Sequence, residues 1–200
     1  MTMESWLVAG LGNPGRNYEQ TRHNAGFWFV EALARKLGVQ LSSNRKLLGD
    51  AVRARTAGAE LILLMPDTFM NDSGQSLRAA IDFYKLSPGR VLIAHDELDL
   101  PPGVVRLKHA GGHGGHNGLR SSFSHLGTRD FWRLRIGIGH PGQASDVTPW
   151  VLSRAPADDQ QLIEQSIERA VEVMPQFLSG QANEAMKVLH AKAAPAGRSN

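Results

Sequence analysis

Two periods of apolar residues alternate along the chain. Unbroken apolar runs at Trp6–Ala9, Leu61–Met65, Val91–His95 and Trp132–Ile138 predict buried strands, and Ala51–Arg55 and Val104–Lys108 add two more. Between them, apolar positions recur every three or four residues, which predicts helices over Ala25–Leu37, Ser73–Tyr84, Asn117–Leu126 and Asp158–Leu178, with a shorter one at Asn183–His190. The first helix carries Phe27, Val30, Leu33, Ala34 and Leu37 on one face and meets Gly38 as its stop signal. The stripe Leu162, Ile163, Ile167, Ala170, Val171, Met174 and Phe177 reads as a core-packing face. Such alternation predicts an α/β fold with helices on both faces of the sheet. The sheet is expected to be mixed, because Ala51–Met65 reads as a hairpin around Gly58. Nothing resembles a linker or a repeat, so residues 1–190 read as a single domain. The Ala-, Pro-, Gly- and Ser-rich tail at 191–200 is expected to be disordered.

Composition narrows the picture modestly. The 200 residues are 42% hydrophobic and 20% charged, enough to bury a sizeable core. No apolar run approaches the roughly 18 residues needed to cross a bilayer, and Met1–Ser5 does not look like a secretory signal. The absence of cysteine excludes disulfides, thiolate metal sites and cysteine nucleophiles, and agrees with a reducing cytosol. A net charge of +3 leans only slightly toward an anionic partner. Clustering says more. Arg106, Lys108, Arg120, Arg129, Arg133 and Arg135 fall together, with Asp130 as the only acid between the first and last of them. Strand alternation puts Arg106 and Lys108 on one face, and Arg133 with Arg135 likewise. Either this is a solvated sheet edge or it is a phosphate clamp, which would position a nucleic acid without reading its sequence.

Gly10, Gly12 and Gly15 follow the first strand and satisfy G-x-G-x-x-G, the pattern of a dinucleotide-binding turn. The context is wrong for that ligand. Pro14 removes a donor inside the loop, the next apolar-faced helix starts only near Ala25, and the acid expected some 20 residues on could only be Glu31, in mid-helix. Two readings remain: a turn that needs glycine for positive φ, or a tight turn that presents Asn13.

Ligands of open α/β sheets gather beyond the carboxyl ends of parallel strands. Asn13 and His23 follow the first strand, Asp67–Asn71 follows Leu61–Met65, Asp96–Asp99 follows Val91–His95, and a loop with His113, His116 and Asn117 among five glycines follows Val104–Lys108. A histidine oriented by a carboxylate is a general base able to activate water, and asparagine N–H groups can stabilise a tetrahedral oxyanion. Together these residue types suggest hydrolysis of an ester or amide. No G-x-S-x-G elbow is present. Alternatively, His23 caps or packs against the next helix, and His109, His113 and His116 imitate a metal site with His95 and Asp96. Five glycines make that loop look too mobile to fix ligands by itself, and its approach to a helix start is better explained as backbone brought close to a ligand.

The blocks Gly10–Gly15, Tyr18, Thr21–Asn24, Thr68–Gly74, Asp96–Pro101, Gly114–Leu119 and Arg133–Gly139 closely resemble the bacterial peptidyl-tRNA hydrolase family, in order, over about residues 5–190. The resemblance implies cleavage of the ester joining a peptide to the terminal ribose of tRNA, by a monomeric cytoplasmic enzyme with a twisted mixed sheet. It implies peptidyl-tRNA as partner, no membrane, no metal and no organic cofactor. By position it makes His23 the base, Asp96 its orienting carboxylate, and Asn13 and Asn71 the groups that hold and polarise the carbonyl. Asn117 would order the water or the peptide backbone, with Tyr18, Met70 and His116 lining the cleft. Lys108 and Arg135 would clamp the tRNA 5′ phosphate, and Arg106 stands where the family often has lysine. Glu97 occupies a place where a second aspartate is common. The resemblance also suggests that Gly142–Pro156 flanks or covers the cleft, and Pro141–Ser145 reads as a hinge. The rival from another class is a noncatalytic tRNA-binding module using the same basic edge.

Overall fold

The strongest apolar runs become the strands that are covered on both faces. The structure is a computed structural model that describes residues 4–56 and 58–191, so all but the first residue of the expected disordered tail lies outside the described residues. Its strands are β1 (Glu4–Gly10), β2 (Ser42–Asn44), β3 (Gly49–Arg55), β4 (Ala59–Pro66), β5 (Val91–Glu97), β6 (Val105–His109) and β7 (Trp132–Gly137). Its helices are α1 (Ala25–Leu37), α2 (Ser73–Tyr84), α3 (Asn117–Leu126), α4 (Val147–Val151), α5 (Ala157–Leu178) and α6 (Ala182–His190). All seven strands form one sheet in the order β2-β3-β4-β1-β5-β7-β6. β1, β4, β5 and β7 are parallel, and the pairs β2–β3, β3–β4 and β6–β7 are antiparallel. The sheet is mixed, as expected, and β3–β4 is the expected hairpin.

Alternate residues of the central strands feed two cores. Trp6, Val8, Leu61 and Leu92 pack with Phe29, Val30 and Leu33 of α1 and with Ile167, Met174 and Phe177 of α5. Leu7, Ala9, Ile62 and Ile93 pack with Leu77 and Ile81 of α2 and Leu119 of α3. Double coverage is why these strands read as continuous apolar runs rather than alternating ones. α1 sits unusually close to the sheet, because a Cβ on Gly10 would lie 2.1 Å from the Gly26 carbonyl oxygen, and one on Gly26 would lie 2.4 Å from that of Ala94. The outer edge of β6 is covered by α6, whose His190 Nε2 accepts the Leu107 N–H at 2.9 Å.

Two elements were not foreseen. β2 is Ser-Ser-Asn, polar and exposed, and exists by pairing with β3. α4 is five residues around Pro149, far below the length at which a helix holds itself.

Candidate active site

The parallel strands β1, β4 and β5 deliver their polar successors to one edge of the sheet. The glycine contacts described above let the 3₁₀ turn Arg22–Asn24 and the start of α1 lie directly over the ends of β1 and β5. Three successive side chains of that turn then reach three different walls. Asn24 Oδ1 accepts the Asn13 N–H at 2.9 Å and its Nδ2 donates to the Asn13 carbonyl at 3.0 Å. His23 meets Asp96 on β5, and Arg22 turns toward α4 and the residues after it.

His23 Nδ1 lies 3.0 and 2.9 Å from the two Asp96 carboxylate oxygens, and His116 Nε2 lies 2.7 Å from Oδ1. His116 is the N-cap of α3 and its Nδ1 accepts the Leu119 N–H at 3.3 Å. That cap requires a lone pair on Nδ1, so the neutral ring carries its proton on Nε2 and donates it to Asp96. His23 likewise donates from Nδ1, which leaves Nε2 as an unprotonated acceptor when the ring is neutral. Burial disfavours the charged His23 ring, but the charge of Asp96 and its hydrogen bond outweigh that and raise the pKa above the ordinary imidazole value. Asp96 is only 3% exposed. Burial alone would raise its pKa, yet His23 and His116 together hold it well below the usual carboxylate range. Next to it, His95 donates from Nδ1 to the Asp96 carbonyl, and burial together with His116 pushes its pKa down to about 3, so it stays neutral.

The three donor groups His23, Asp96 and His116 lie within 4.8 Å of one another, the spacing of a possible metal site. Their N···O separations of 2.7–2.9 Å are those of direct hydrogen bonds. Two donors on a tetrahedral zinc at about 2.0 Å stand roughly 3.3 Å apart, so the geometry here is that of a doubly hydrogen-bonded carboxylate. His109 does not join the group; it faces Asp130 and Trp132 at the sheet edge.

Asn13 is fixed at every polar atom but one. Its backbone is held by Asn24, and its Oδ1 accepts the Met70 N–H at 2.8 Å, which leaves the Nδ2 hydrogens free to donate. Met70 is buried and close to α3, since a Cβ on Gly118 would lie 2.5 Å from its sulfur. Tyr18 meets the exposed ring of Phe69 edge-on at 6.3 Å. Asn71 and Asn117 are both exposed, and Asn117 Oδ1 accepts from Arg120 at 3.2 Å. A cleft of about 380 Å³ is lined by His23, His95, Asp96, His116, Asn117 and, from α4, by Val147, Thr148 and Val151. Asn13 opens on a neighbouring hollow of about 400 Å³ with Glu19, Glu31, Asp50 and Asp67. Sequence reasoning gave Asn24 and Arg22 no role, although both flank His23 in the chain.

The basic cluster divides. In the β6–β7 ladder Arg106 stands opposite Arg135 and Lys108 opposite Arg133, so all four leave the same sheet face. Arg133, grouped by sequence with the clamp candidates, is only 2% exposed and donates to the carbonyls of Gly111 and Gly112. It supports the glycine-rich loop from below, and the loop read as mobile is thereby pinned. Arg106, Lys108 and Arg135 remain at the surface, with Arg135 Nε donating to Glu97 at 2.9 Å. No helix among the described residues is long and apolar enough to cross a membrane.

Comparison with known proteins agrees with this geometry over nearly the whole chain. A family model described as "Peptidyl-tRNA hydrolase" matches residues 7–196. A peptidyl-tRNA hydrolase of Acidithiobacillus ferrooxidans is 55% identical over 185 residues, 92% of this chain and 98% of the relative. One from Pseudomonas fluorescens is 52% identical over 94% of this chain and 97% of its own. The crystal structure of peptidyl-tRNA hydrolase from Acinetobacter baumannii superposes with a TM-score of 0.91 at 48% identity, covering 96% of this chain and 97% of that one. The glycine turn, the His23–Asp96 pair and the basic strand face therefore sit in a framework shared over nearly the whole chain, and the chain belongs to the bacterial peptidyl-tRNA hydrolase family.

Proposed function

We propose that this chain hydrolyses the ester between the peptide and the terminal ribose of peptidyl-tRNA, with His23 as general base. The observation that carries the reading is the tautomer set at Asp96. With both imidazole N–H groups committed to one buried carboxylate, His23 Nε2 is left as a lone-pair acceptor at the cleft. His23 takes a proton from water, and the resulting hydroxide adds to the ester carbonyl. The tetrahedral oxyanion is met by Asn13 Nδ2 and by Asn71. Collapse breaks the C–O bond to the ribose, and His23 returns the proton to the departing oxygen. Asn117 orders the water or the peptide backbone, and Tyr18, Met70 and His116 shape the peptide side. No metal or organic cofactor enters this chemistry.

The test is release of free tRNA from a purified N-acylaminoacyl-tRNA. A noncatalytic tRNA-binding module would retain the substrate intact at every pH. Catalysis through His23 gives kcat/KM an acid limb, since activity needs the neutral ring. Because Asp96 raises the His23 pKa, that limb lies above the ordinary imidazole value, and activity is lost as pH falls through it. A rate independent of pH between 5 and 9, roughly the window in which imidazole titrates, would remove the base.

Arg106, Lys108 and Arg135 form the clamp for the tRNA 5′ phosphate in this reading. Lys108→Ala and Arg135→Ala should weaken substrates carrying that phosphate by about tenfold, and lower the salt slope of binding by about one per contact. Equal loss on substrates with and without the phosphate would place the contact elsewhere.

A further inference from the structure

The turn that aims His23 into the cleft aims its neighbour the other way. Arg22 is 3% exposed, and its Nη1 donates to the carbonyls of Trp150 (3.1 Å) and Ser153 (3.3 Å) and to Ser153 Oγ (2.7 Å). The guanidinium carbon lies 3.7 Å from the centroid of the Trp150 ring, and the Arg22 N–H adds a bond to the Ser153 carbonyl at 3.1 Å. Burial lowers its pKa more than Asp159 on α5 raises it. A buried cation held by carbonyls and a ring face is an expensive way to fill space, and an apolar side chain would fill it at less cost. What an apolar side chain lacks is a planar cation that lies on the Trp150 ring while its Nη1 donates to the chain beyond α4.

The segment Arg22 grips is too short to hold itself as a helix. α4 has five residues, Val151 joins the core with Val147 and Trp150 packed beside it, and Trp150 Nε1 donates to the Gly139 carbonyl at 3.0 Å. Yet Val147, Thr148 and Val151 of α4 line the same cleft as His23, Asp96 and His116. Arg22 and His23 are adjacent in one 3₁₀ turn, so the wall and the base are referenced to the same few backbone atoms.

We propose that Arg22 is a positioning residue that holds α4 as a wall of the His23 cleft and thereby sets both substrate fit and the solvation of the base. The proposal rests on His23 being that base. Asp96 faces His23 from β5 and His116 faces it from the start of α3, while Glu97, Asp99, His113 and His140 line the rest of the cleft. Of these, only His140 lies on the segment that leads into α4; the others sit on β5, the residues just after it, the glycine-rich loop and the start of α3. What changes when α4 loosens is water access, which relaxes the burial that opposes protonation of His23 and moves its acid limb to higher pH.

The experiment compares kcat, KM and the pH profile on N-acylaminoacyl-tRNA for wild type, Arg22→Gln, Arg22→Lys, Trp150→Leu and Ser153→Ala, with the folded fraction of each taken from thermal melts. Arg22→Gln should lower kcat/KM about a hundredfold, mainly through KM, with the acid limb at higher pH. Trp150→Leu should reproduce it from the other side of the contact. Arg22→Lys should restore little, since an ammonium cannot lie flat on the Trp150 ring. Activity that falls only with the folded fraction, KM and acid limb unchanged, would overturn the proposal. Should the arginine variants not fold, Ser153→Ala decides. A raised KM in a folded protein supports the latch, and a wild-type KM overturns it. Retained turnover in His23→Ala would overturn the base assignment separately, leaving the KM comparison to judge Arg22.

Discussion

Asp96→Asn is expected to lower kcat by about 10⁴, close to the effect of removing His23 itself, while leaving the fold intact. The carboxylate accepts from two imidazoles at once. A carboxamide of the same shape keeps one acceptor oxygen and puts an NH₂ group in the place of the other. His116 has no freedom to change, because its Nδ1 lone pair is occupied by the Leu119 N–H. The asparagine oxygen therefore goes to His116, and its NH₂ group faces His23. The NH₂ group at the Oδ2 position, 2.9 Å from Nδ1, opposes an Nδ1–H and favours the tautomer with the proton on Nε2, the atom that should take a proton from water. The base is present, correctly placed and in the wrong tautomer. Single-turnover hydrolysis measures this directly. A loss below about tenfold would show that Asp96 does not set the tautomer. His116→Ala tests the same logic in reverse. With one acceptor site freed, Asp96→Asn on that background could present its oxygen to His23, and the double variant should be more active than Asp96→Asn alone.

The largest expected effect on stability is at Gly26→Ala. Helix propensity alone predicts a gain of about 1 kcal/mol, since alanine outranks glycine inside a helix. Sterics predict the opposite, and sterics win. The new Cβ would lie 2.4 Å from the Ala94 carbonyl oxygen and 2.5 and 2.6 Å from the Leu11 nitrogen and oxygen, all backbone atoms that cannot rotate away. Backing α1 off the sheet opens the core around Phe29 and Val30. The cost should be at least about 3 kcal/mol, near 10 °C in Tm for a chain of this length. Gly89→Ala is the control, with nothing within 4 Å of its Cβ, and should leave Tm within about a degree. Equal melting of the two variants would show that α1 does not depend on this close approach. Gly26→Ala should also impair catalysis in whatever fraction remains folded, since the same contact seats the turn that bears His23.

The sequence made the elements legible because most were written in apolar periodicity. Helices over Ala25–Leu37, Ser73–Tyr84 and Asn117–Leu126 have the residue bounds that spacing and stop signals predict, and six strands were placed within two residues at most of their ends. What periodicity cannot carry is pairing. The sheet order, with β1 between β4 and β5, depends on contacts between distant segments, and β2 exists only because β3 offers it a ladder. α4 is hidden for the same reason, having no stripe of its own and a buried arginine far away in the chain as its anchor. The expectation that polar residues at strand ends converge on one edge is met by His23, Asp96 and His116 and by Asn13 with Met70. Asn71, exposed and without a partner among the described residues, awaits the substrate to show its use. Arg133 misled because charge in a sequence reads as surface, whereas its five donors are also what an inward-facing loop of carbonyls requires.

Those carbonyls have a thermodynamic consequence. Residues 110–116 include Ala110 at positive φ, which a residue with a Cβ seldom adopts, beside the freely rotating Gly111, Gly114 and Gly115. Ala110 is bonded to the Phe131 carbonyl, Gly111 and Gly112 are held by Arg133, and His116 is held by Asp96. Immobilising such backbone costs on the order of 1–2 kcal/mol per residue in conformational entropy. Here that cost falls on folding, before any RNA arrives. The ties at both ends of the loop are made within the chain itself, so ordering those residues is not charged to substrate binding.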